Sequence, residues 1–256
     1  MRQNQVDVFI PGIGVNYQYS RELQFFAGVH RGFSPPGNKE GTRPEKSINY
    51  ELGARLNKGA LSGQTALFFS DYDNLLGTDL AAAGGGGTGD LFNGGAVQTK
   101  GLELQLTYDP LTGSGSSWTL PLTVVYTFTD AEFQNSFESD FEGWGTVQKG
   151  DELPYLPRNQ LTLMAGLQGP RFALNLSARY QDAMRTQAGQ GPIPEDQKTD
   201  AYFVLDANAS YALHPKVSLF ASMTNLTDAV YVVARRPAGL RPGMPRTFMG
   251  GLKVKF

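Results

Sequence analysis

The stretch "TFMGGLKVKF" at residues 247–256 decides the fold. Leu252 and Val254 fall on one side of an alternating pattern, and Lys253 and Lys255 fall on the other. Successive side chains of a β-strand point to opposite faces. This period of two therefore predicts a strand with one apolar and one polar face.

The same alternation recurs along the chain and predicts an all-β protein of about eleven strands. The predicted strands cover residues 13–19, 22–32, 45–57, 61–74, 95–109, 117–130, 158–168, 171–182, 201–212, 216–226 and 246–256. Many of these segments reach ten residues, whereas strands of soluble proteins usually have about 5–6. A tilted strand that crosses a bilayer needs about 9–11 residues, so the lengths favour membrane-spanning strands.

The connections between these strands alternate between short and long. The short ones lie near residues 20–21, 58–60, 110–116, 169–170 and 213–215. The long ones lie near residues 33–44, 75–94, 131–157, 183–200 and 227–245. In a meander every second connection lies at the same end, which is the layout of an outer-membrane barrel with short periplasmic turns and long extracellular loops. We therefore predict an antiparallel up-and-down transmembrane β-barrel, with a soluble β-sandwich or propeller as the alternative.

Composition excludes several other classes of protein. The 256 residues carry a net charge of -2, which does not indicate a basic surface for nucleic-acid binding. The absence of cysteine excludes disulfides and thiolate metal sites. No apolar run approaches the roughly 18–20 residues of a membrane-spanning helix. The sequence holds two histidines and neither a GxSxG nor an HExxH motif. We therefore expect no enzyme activity, no bound cofactor and no nucleic-acid partner.

Five short motifs, in this order, carry a family resemblance. They are "RGFSPP" (31–36), "NYELGAR" (49–55), "TKGLELQL" (99–106), "NLTD" (225–228) and "PRTF" (245–248). Together they resemble the TonB-dependent receptors, and within them the ferric dicitrate receptor-like group. The resemblance implies a barrel of about 22 strands that encloses a plug domain. It also implies substrate uptake driven by the inner-membrane TonB complex.

Against that family pattern, the chain corresponds to about 11 of 22 strands. We expect residues 1–256 to form the C-terminal portion of the barrel domain, without the plug domain, the TonB box or a signal peptide. The resemblance places the protein in the bacterial outer membrane, in contact with membrane lipid and lipopolysaccharide. Its expected partners are the missing half of the barrel, the TonB complex through the missing N-terminal part, and the outer-membrane assembly machinery. That machinery would read Leu252, Val254 and Phe256 as the C-terminal signal.

The resemblance implies uptake of a ferric chelate, such as ferric citrate or another siderophore. Receptors of the same architecture also take cobalamin, carbohydrate or peptide, so a non-iron ligand stays open. A passive porin-like barrel, which needs no energised transport, and a soluble β-rich binding module are further alternatives.

Clustered arginines in the long loops are the candidate ligand-binding residues. Arg235, Arg236, Arg241 and Arg246 lie in or next to the last long loop, and Arg185 and Gln187 lie in the loop before it. Guanidinium groups bind carboxylate or phosphate in a bidentate manner, which suits an anionic ferric chelate. The alternative is that these arginines contact lipopolysaccharide phosphates or solvent.

Two further groups of side chains give testable expectations. The acidic residues of loop 131–157 are predicted to form a solvated surface, since their spacing matches no calcium motif. The aromatic residues of that loop either cap a ligand or fold the loop on itself; they are Phe133, Phe137, Phe141 and Trp144. Arg55 and Arg179 face the barrel interior in the predicted strands. They are expected to pair with carboxylates of the plug or wall, such as Glu51 or Glu103.

Overall fold

The computed structural model describes residues 8–36, 41–78, 91–139, 144–235 and 239–255. Numbered in chain order, the strands of these ranges are β1 (Gly12–Gln18), β2 (Leu23–Ser34), β3 (Glu45–Lys58), β4 (Leu61–Tyr72), β5 (Leu76–Thr78), β6 (Leu91–Asn93), β7 (Val97–Tyr108), β8 (Leu122–Phe133), β9 (Phe137–Glu138), β10 (Thr146–Val147), β11 (Asn159–Gln168), β12 (Phe172–Gln181), β13 (Tyr202–His214), β14 (Val217–Thr224), β15 (Val232–Ala234), β16 (Arg241–Pro242) and β17 (Thr247–Val254). A 3-10 turn, Glu195–Gln197, lies in the loop between β12 and β13. Within the described ranges, no helix has the length and apolarity needed to span a membrane.

Eleven strands form one antiparallel sheet, which confirms the predicted meander. Their order is β1-β2-β3-β4-β7-β8-β11-β12-β13-β14-β17, so each strand pairs with the next long strand in the sequence. The six remaining strands form three two-stranded ribbons, β5–β6, β9–β10 and β15–β16, each inside a long loop. β1 and β17 occupy the two edges of the sheet and run in the same direction. They therefore cannot form an antiparallel pair with each other.

The strand predicted over 117–130 lies further along the chain, because β8 begins at Leu122. Pro121 directly precedes it and has no N–H to donate to the ladder, which confines proline to the start of a strand. Its carbonyl still accepts the Gly166 N–H at 2.9 Å. At the other end, β8 continues to Phe133, which lies opposite Val97 of β7.

The register places apolar residues opposite apolar residues across the whole sheet. One row reads Val15, Ala27, Leu52, Leu67, Leu102 and Phe128. A second row reads Leu163, Ala178 and Leu205 across β11 to β13. These side chains are not packed against any second layer, since Leu52 and Leu67 are 57% and 54% exposed. Such a continuous exposed apolar face is the outer surface of a barrel in lipid.

Buried side chains concentrate at the end of the sheet where the long loops lie. Four buried apolar residues form a cluster there, which we call the loop core: Val97, Phe133, Trp144 and Val147. Partly buried neighbours surround it from three loops and from the end of β4; they are Tyr72, Leu75, Phe92, Phe137, Leu153 and Ala188. The other five connections lie at the opposite end, and four of them are short, such as Gly59–Ala60 between β3 and β4. The fifth, residues 109–121 between β7 and β8, is longer than the connection 35–44 between β2 and β3, because β8 begins only at Leu122. The predicted separation of long and short connections holds apart from this pair.

Candidate functional site

The long-loop end is the candidate functional site, and an aromatic cluster organises it. The Trp144 ring lies edge-on to Phe133 at 5.8 Å and to Phe137 at 6.3 Å, measured between ring centroids. Gly77 and Gly94 face the same indole, and a Cβ added at Gly77 would lie 2.6 Å from it. The aromatic residues therefore pack on each other and against the neighbouring loop, which agrees with the alternative in which they fold the loop. Phe141 lies outside the described residues.

Two acidic residues of the same loop, Asp151 and Glu152, do not belong to the solvated surface that the sequence predicted, whereas Glu138 is exposed as expected and Asp140 and Glu142 lie outside the described residues. Asp151 is only 6% exposed, and its carboxylate accepts the Gln148 N–H at 2.9 Å and the Gln190 side-chain N–H at 3.1 Å. Glu152 accepts from Arg185 at 3.0 Å. The prediction was wrong for these residues because residues 183–200 fold against them and provide donors.

Arg185 is buried and already paired. Its side chain is 5% exposed, with Nε on Glu152 and Nη2 donating to the Gly191 carbonyl at 2.9 Å. Gln187 follows it and is half-buried. Arg185 thus links loop 131–157 to loop 183–200 in this structure.

Arg235 also connects two loops. Its Nε donates to the Lys198 carbonyl, and its Nη2 donates to the Glu195 carbonyl at 3.0 Å. The rings of Tyr202, at the start of β13, and Tyr231, in the last long loop, stack with centroids 4.3 Å apart. These contacts join the last long loop to the loop before it.

The remaining candidate arginines are more accessible. Arg246 forms an ion pair with Asp228 at 2.6 Å, with the two side chains 43% and 62% exposed. Arg241 is exposed on the short ribbon formed by β15 and β16. Arg236 lies outside the described residues.

Asn225 is a structural residue that the sequence analysis did not single out. It is 1% exposed and adopts a positive φ of 54°. Its side-chain N–H groups donate to the Ala229 carbonyl at 2.9 Å and the Met244 carbonyl at 3.0 Å, while its Oδ1 accepts the Ala229 N–H at 3.0 Å. The signal that could have found it was its place at the start of the "NLTD" motif.

The two interior arginines singled out from the sequence have partners on the wall. Arg179 pairs with Asp206 at 2.8 Å, so its partner is a wall carboxylate other than the two predicted. Arg55 instead lies over the Phe26 ring, with its Cζ 4.4 Å from the centroid. That ring covers Gly53 of the next strand, where a Cβ would collide with it.

The C-terminal strand presents the predicted apolar pattern. Leu252 lies opposite Leu219, and Val254 lies opposite Val217. Leu252 is 56% exposed on the apolar face. Phe256 lies outside the described residues. Among the residues that the structure describes, no three His, Cys, Asp or Glu side chains form a group that could hold a metal ion.

Comparison with curated proteins gives distant relatives of one kind. The chain is 26% identical over 255 residues to the metal-pseudopaline receptor CntO of Pseudomonas aeruginosa. This alignment covers 96% of this chain and 33% of the relative. It is 22% identical over 242 residues to the pesticin receptor of Yersinia enterocolitica, with 88% of this chain and 32% of the relative covered. The chain thus spans about a third of the length of these relatives.

Solved structures show the same fold. The closed form of the ferric-catecholate import receptor Fiu of E. coli K12 has a TM-score of 0.71 at 22% identity, over 96% of this chain and 34% of that one. The unliganded ferric citrate transporter FecA has a TM-score of 0.71 at 21% identity, over 95% of this chain and 38% of that one.

A family model matches most of the chain and agrees with the resemblance drawn from the motifs. Residues 2–226 match the model described as "TonB dependent receptor-like, beta-barrel". The relatives are receptors and transporters by name, in line with the expectation that the chain is not an enzyme. The chain belongs to the TonB-dependent receptor β-barrel family, whose members are proteins of the bacterial outer membrane.

Proposed function

We propose that the chain is the C-terminal part of the barrel of an outer-membrane receptor that takes up a metal chelate with energy from TonB. The observation that carries the proposal is the match to the TonB-dependent receptor barrel over residues 2–226. Four relatives are named for a metal-pseudopaline, pesticin, a ferric catecholate and ferric citrate. Three of these four names include a metal complex. Ferric citrate is the narrower candidate within that class.

The ligand would reach the long-loop end first, and its contact residues would be those with accessible donors. Arg241 is exposed, and Arg246 is partly exposed beside Asp228. A chelate with free carboxylates offers acceptors to both guanidiniums. Arg185 and Arg235 would act differently, because their guanidiniums already bind groups within the loops. They would hold the shape of the binding surface, with Arg236 and Gln187 as further contact candidates.

The remaining partners of the proposal are those of the whole receptor. TonB would act through a plug domain and TonB box outside this chain. The assembly machinery would read Leu252, Val254 and Phe256. Membrane lipid would cover the apolar face, where large side chains such as Leu52 stand exposed.

Uptake of radioactive iron by cells that express the complete gene product tests the function. Iron would be supplied as ferric citrate or as a ferric catecholate, with a deletion strain for comparison. The proposal predicts uptake that requires the gene and that stops when the proton-motive force is collapsed. Uptake that persists after the collapse would support the passive porin-like alternative, and no gene-dependent uptake of any metal chelate would refute the proposal.

A substitution tests the ligand surface in the same assay. Arg241→Ala is expected to raise the half-saturating chelate concentration about tenfold, because one charge-assisted hydrogen bond is lost. Arg171→Ala is the matched control, since Arg171 is also exposed but lies by the short turn between β11 and β12. Equal half-saturating concentrations for the two variants would show that Arg241 does not contact the ligand.

A further inference from the structure

The interior sides of β14 and β17 form a polar strip that runs between the two ends of the sheet. Leu219 lies opposite Leu252 on the apolar, outward face. Because alternate residues of a strand share a face, the next pair, Ser218 and Lys253, faces the interior. From the long-loop end, the interior pairs are Thr224–Thr247, Ser222–Met249, Phe220–Gly251 and Ser218–Lys253. The strip therefore carries hydroxyl groups along its length and a cation at its short-turn end.

An aromatic ring lies against the wall in the middle of the strip. A Cβ added at Gly251 would lie 2.6 Å from the Phe220 ring, so the ring covers the glycine. From residue 247 to residue 253 the strand extends about 20 Å, at about 3.3 Å per residue. The strip thus connects the last long loop, which holds the exposed Arg241, with the short-turn end.

Three lysines lie together at the short-turn end of the strip; we call Lys216, Lys253 and Lys255 the lysine cluster. Lys253 and Lys255 are alternate residues of the same extended segment, so both face the interior side. Lys216 lies in the turn between β13 and β14, and its carbonyl accepts the Lys255 N–H at 2.8 Å. All three side chains are exposed. Because neighbouring strands are about 4.8 Å apart, the cluster presents one continuous cationic surface.

The lysine cluster differs from other cations of the wall in its lack of an ionic partner. Arg179, on the interior face, pairs with Asp206 at 2.8 Å. Lys58, at the short-turn end but on the outward face, pairs with Glu22 at 3.6 Å. Among the residues that the structure describes, no carboxylate forms an ion pair with any lysine of the cluster. Three like charges repel each other, and an anion bound between them would offset that repulsion.

We propose that the lysine cluster binds the transported chelate, as an anion, where it leaves the barrel at the end of the polar strip. The inference rests on the proposed function and adds the charge of the ligand and the wall along which it moves. An ammonium group forms strong, charge-assisted hydrogen bonds with the free carboxylates of a chelate. Rings of lysine or arginine select anions in membrane pores, and a surface of one sign of charge concentrates its counterion.

The position of the lysine cluster determines its role in uptake. The cluster lies at the end opposite the long loops, so it meets the ligand after the loops have bound it. A chelate released from the loops either returns to the outside or moves along the strip. Cations at the far end favour movement along the strip, because they lower the energy of an anion there. The cluster would therefore raise the rate of uptake and leave binding at the loops unchanged.

Two measurements on cells that express the complete gene product separate exit from binding. The probe is radioactive ferric citrate or ferric catecholate, whichever wild-type cells take up. The amount of chelate bound after collapse of the proton-motive force reports the loops, and the maximal uptake rate of energised cells reports transport. For the double variant Lys253→Gln/Lys255→Gln, we expect an unchanged bound amount and a roughly tenfold lower maximal rate, because the exit no longer concentrates the anion.

Two control variants test the location and the charge of the site. Lys58→Gln removes a lysine at the same end but on the outward face, so both quantities should stay at their wild-type values. Lys253→Arg/Lys255→Arg keeps both positive charges and should retain the wild-type rate. A wild-type rate in the glutamine double variant, or an equal loss of rate in the arginine double variant, would overturn the proposal.

The bound amount and the wild-type cells complete the test. A lower bound amount in the glutamine double variant would also overturn the exit site, since the lysines would then act on ligand binding or on folding. Wild-type cells that take up neither chelate would instead refute the proposed function. The two failures are distinguishable because the first is seen in the variant and the second in wild-type cells.

Discussion

The wall and the loops of this molecule bury side chains in opposite ways. In the wall, Leu52 and Leu67 are more than half exposed. At the long-loop end, Val97 and Phe133 are fully buried, and Trp144 is 6% exposed. The two regions therefore fold in two different solvents. Lipid covers the apolar face of the wall, whereas loops in water must bury their apolar side chains against each other.

The largest expected effect of a substitution concerns the loop core. Trp144→Ala removes the ring that packs on Phe133 and Phe137, and such a change typically costs about 3–5 kcal/mol of stability. We expect faster hydrogen exchange in the loops and little change in the strands. The control is Trp118→Ala, because Trp118 is 37% exposed and lies in the connection between β7 and β8, at the opposite end of the sheet. Equal effects from both variants would show that the loops have no core of their own.

The next largest effect concerns the wall. Leu104→Arg places a charge on the lipid-facing side of β7, and an arginine near the bilayer midplane costs about 2–4 kcal/mol. Gln105→Arg is the matched control, since the next residue faces the interior and its charge stays in water. The measurement is denaturant unfolding in lipid bilayers. A larger loss of stability for Gln105→Arg would reverse the assignment of the two faces.

A smaller effect is expected at the junction of β14 and the last loop. Asn225→Ala removes from a 1% exposed position the donor that binds the carbonyls of Ala229 and Met244, which costs about 1–3 kcal/mol. Limited proteolysis should then cut residues 226–245 faster than in the wild type. Asn175→Ala provides the comparison, because Asn175 bonds Asn208 on the more exposed interior face at 3.1 Å. Unchanged proteolysis of the Asn225 variant would show that other contacts hold the loop.

The difference between the wall and the loops also determines what could be predicted from the sequence. Strand positions follow from a local pattern, so the eleven strands were found within a few residues, apart from the shift that Pro121 causes in β8. The loop contacts join distant parts of the chain. Trp144 contacts Gly77, and Arg235 binds the Lys198 carbonyl. No local sequence pattern predicts either contact.

The candidate arginines illustrate the limit of composition as a guide to a site. Clustered guanidiniums suggested ligand binding, but a guanidinium serves equally well to bind carbonyls or a carboxylate of a neighbouring loop. Arg185 and Arg235 have such partners, and Arg241 stands exposed. Only the folded loops distinguish these cases.

A cysteine scan of β11 tests most directly the claim that the sheet is a membrane wall. The chain has no native cysteine, so single cysteines can be placed at residues 160–165 without interference. In outer membranes, a water-soluble thiol reagent should label positions 160, 162 and 164, which face the interior. Positions 161, 163 and 165 should resist it, and a fluorophore attached there should be quenched by a lipid-soluble quencher. Uniform labelling at all six positions, or the opposite alternation, would contradict the account.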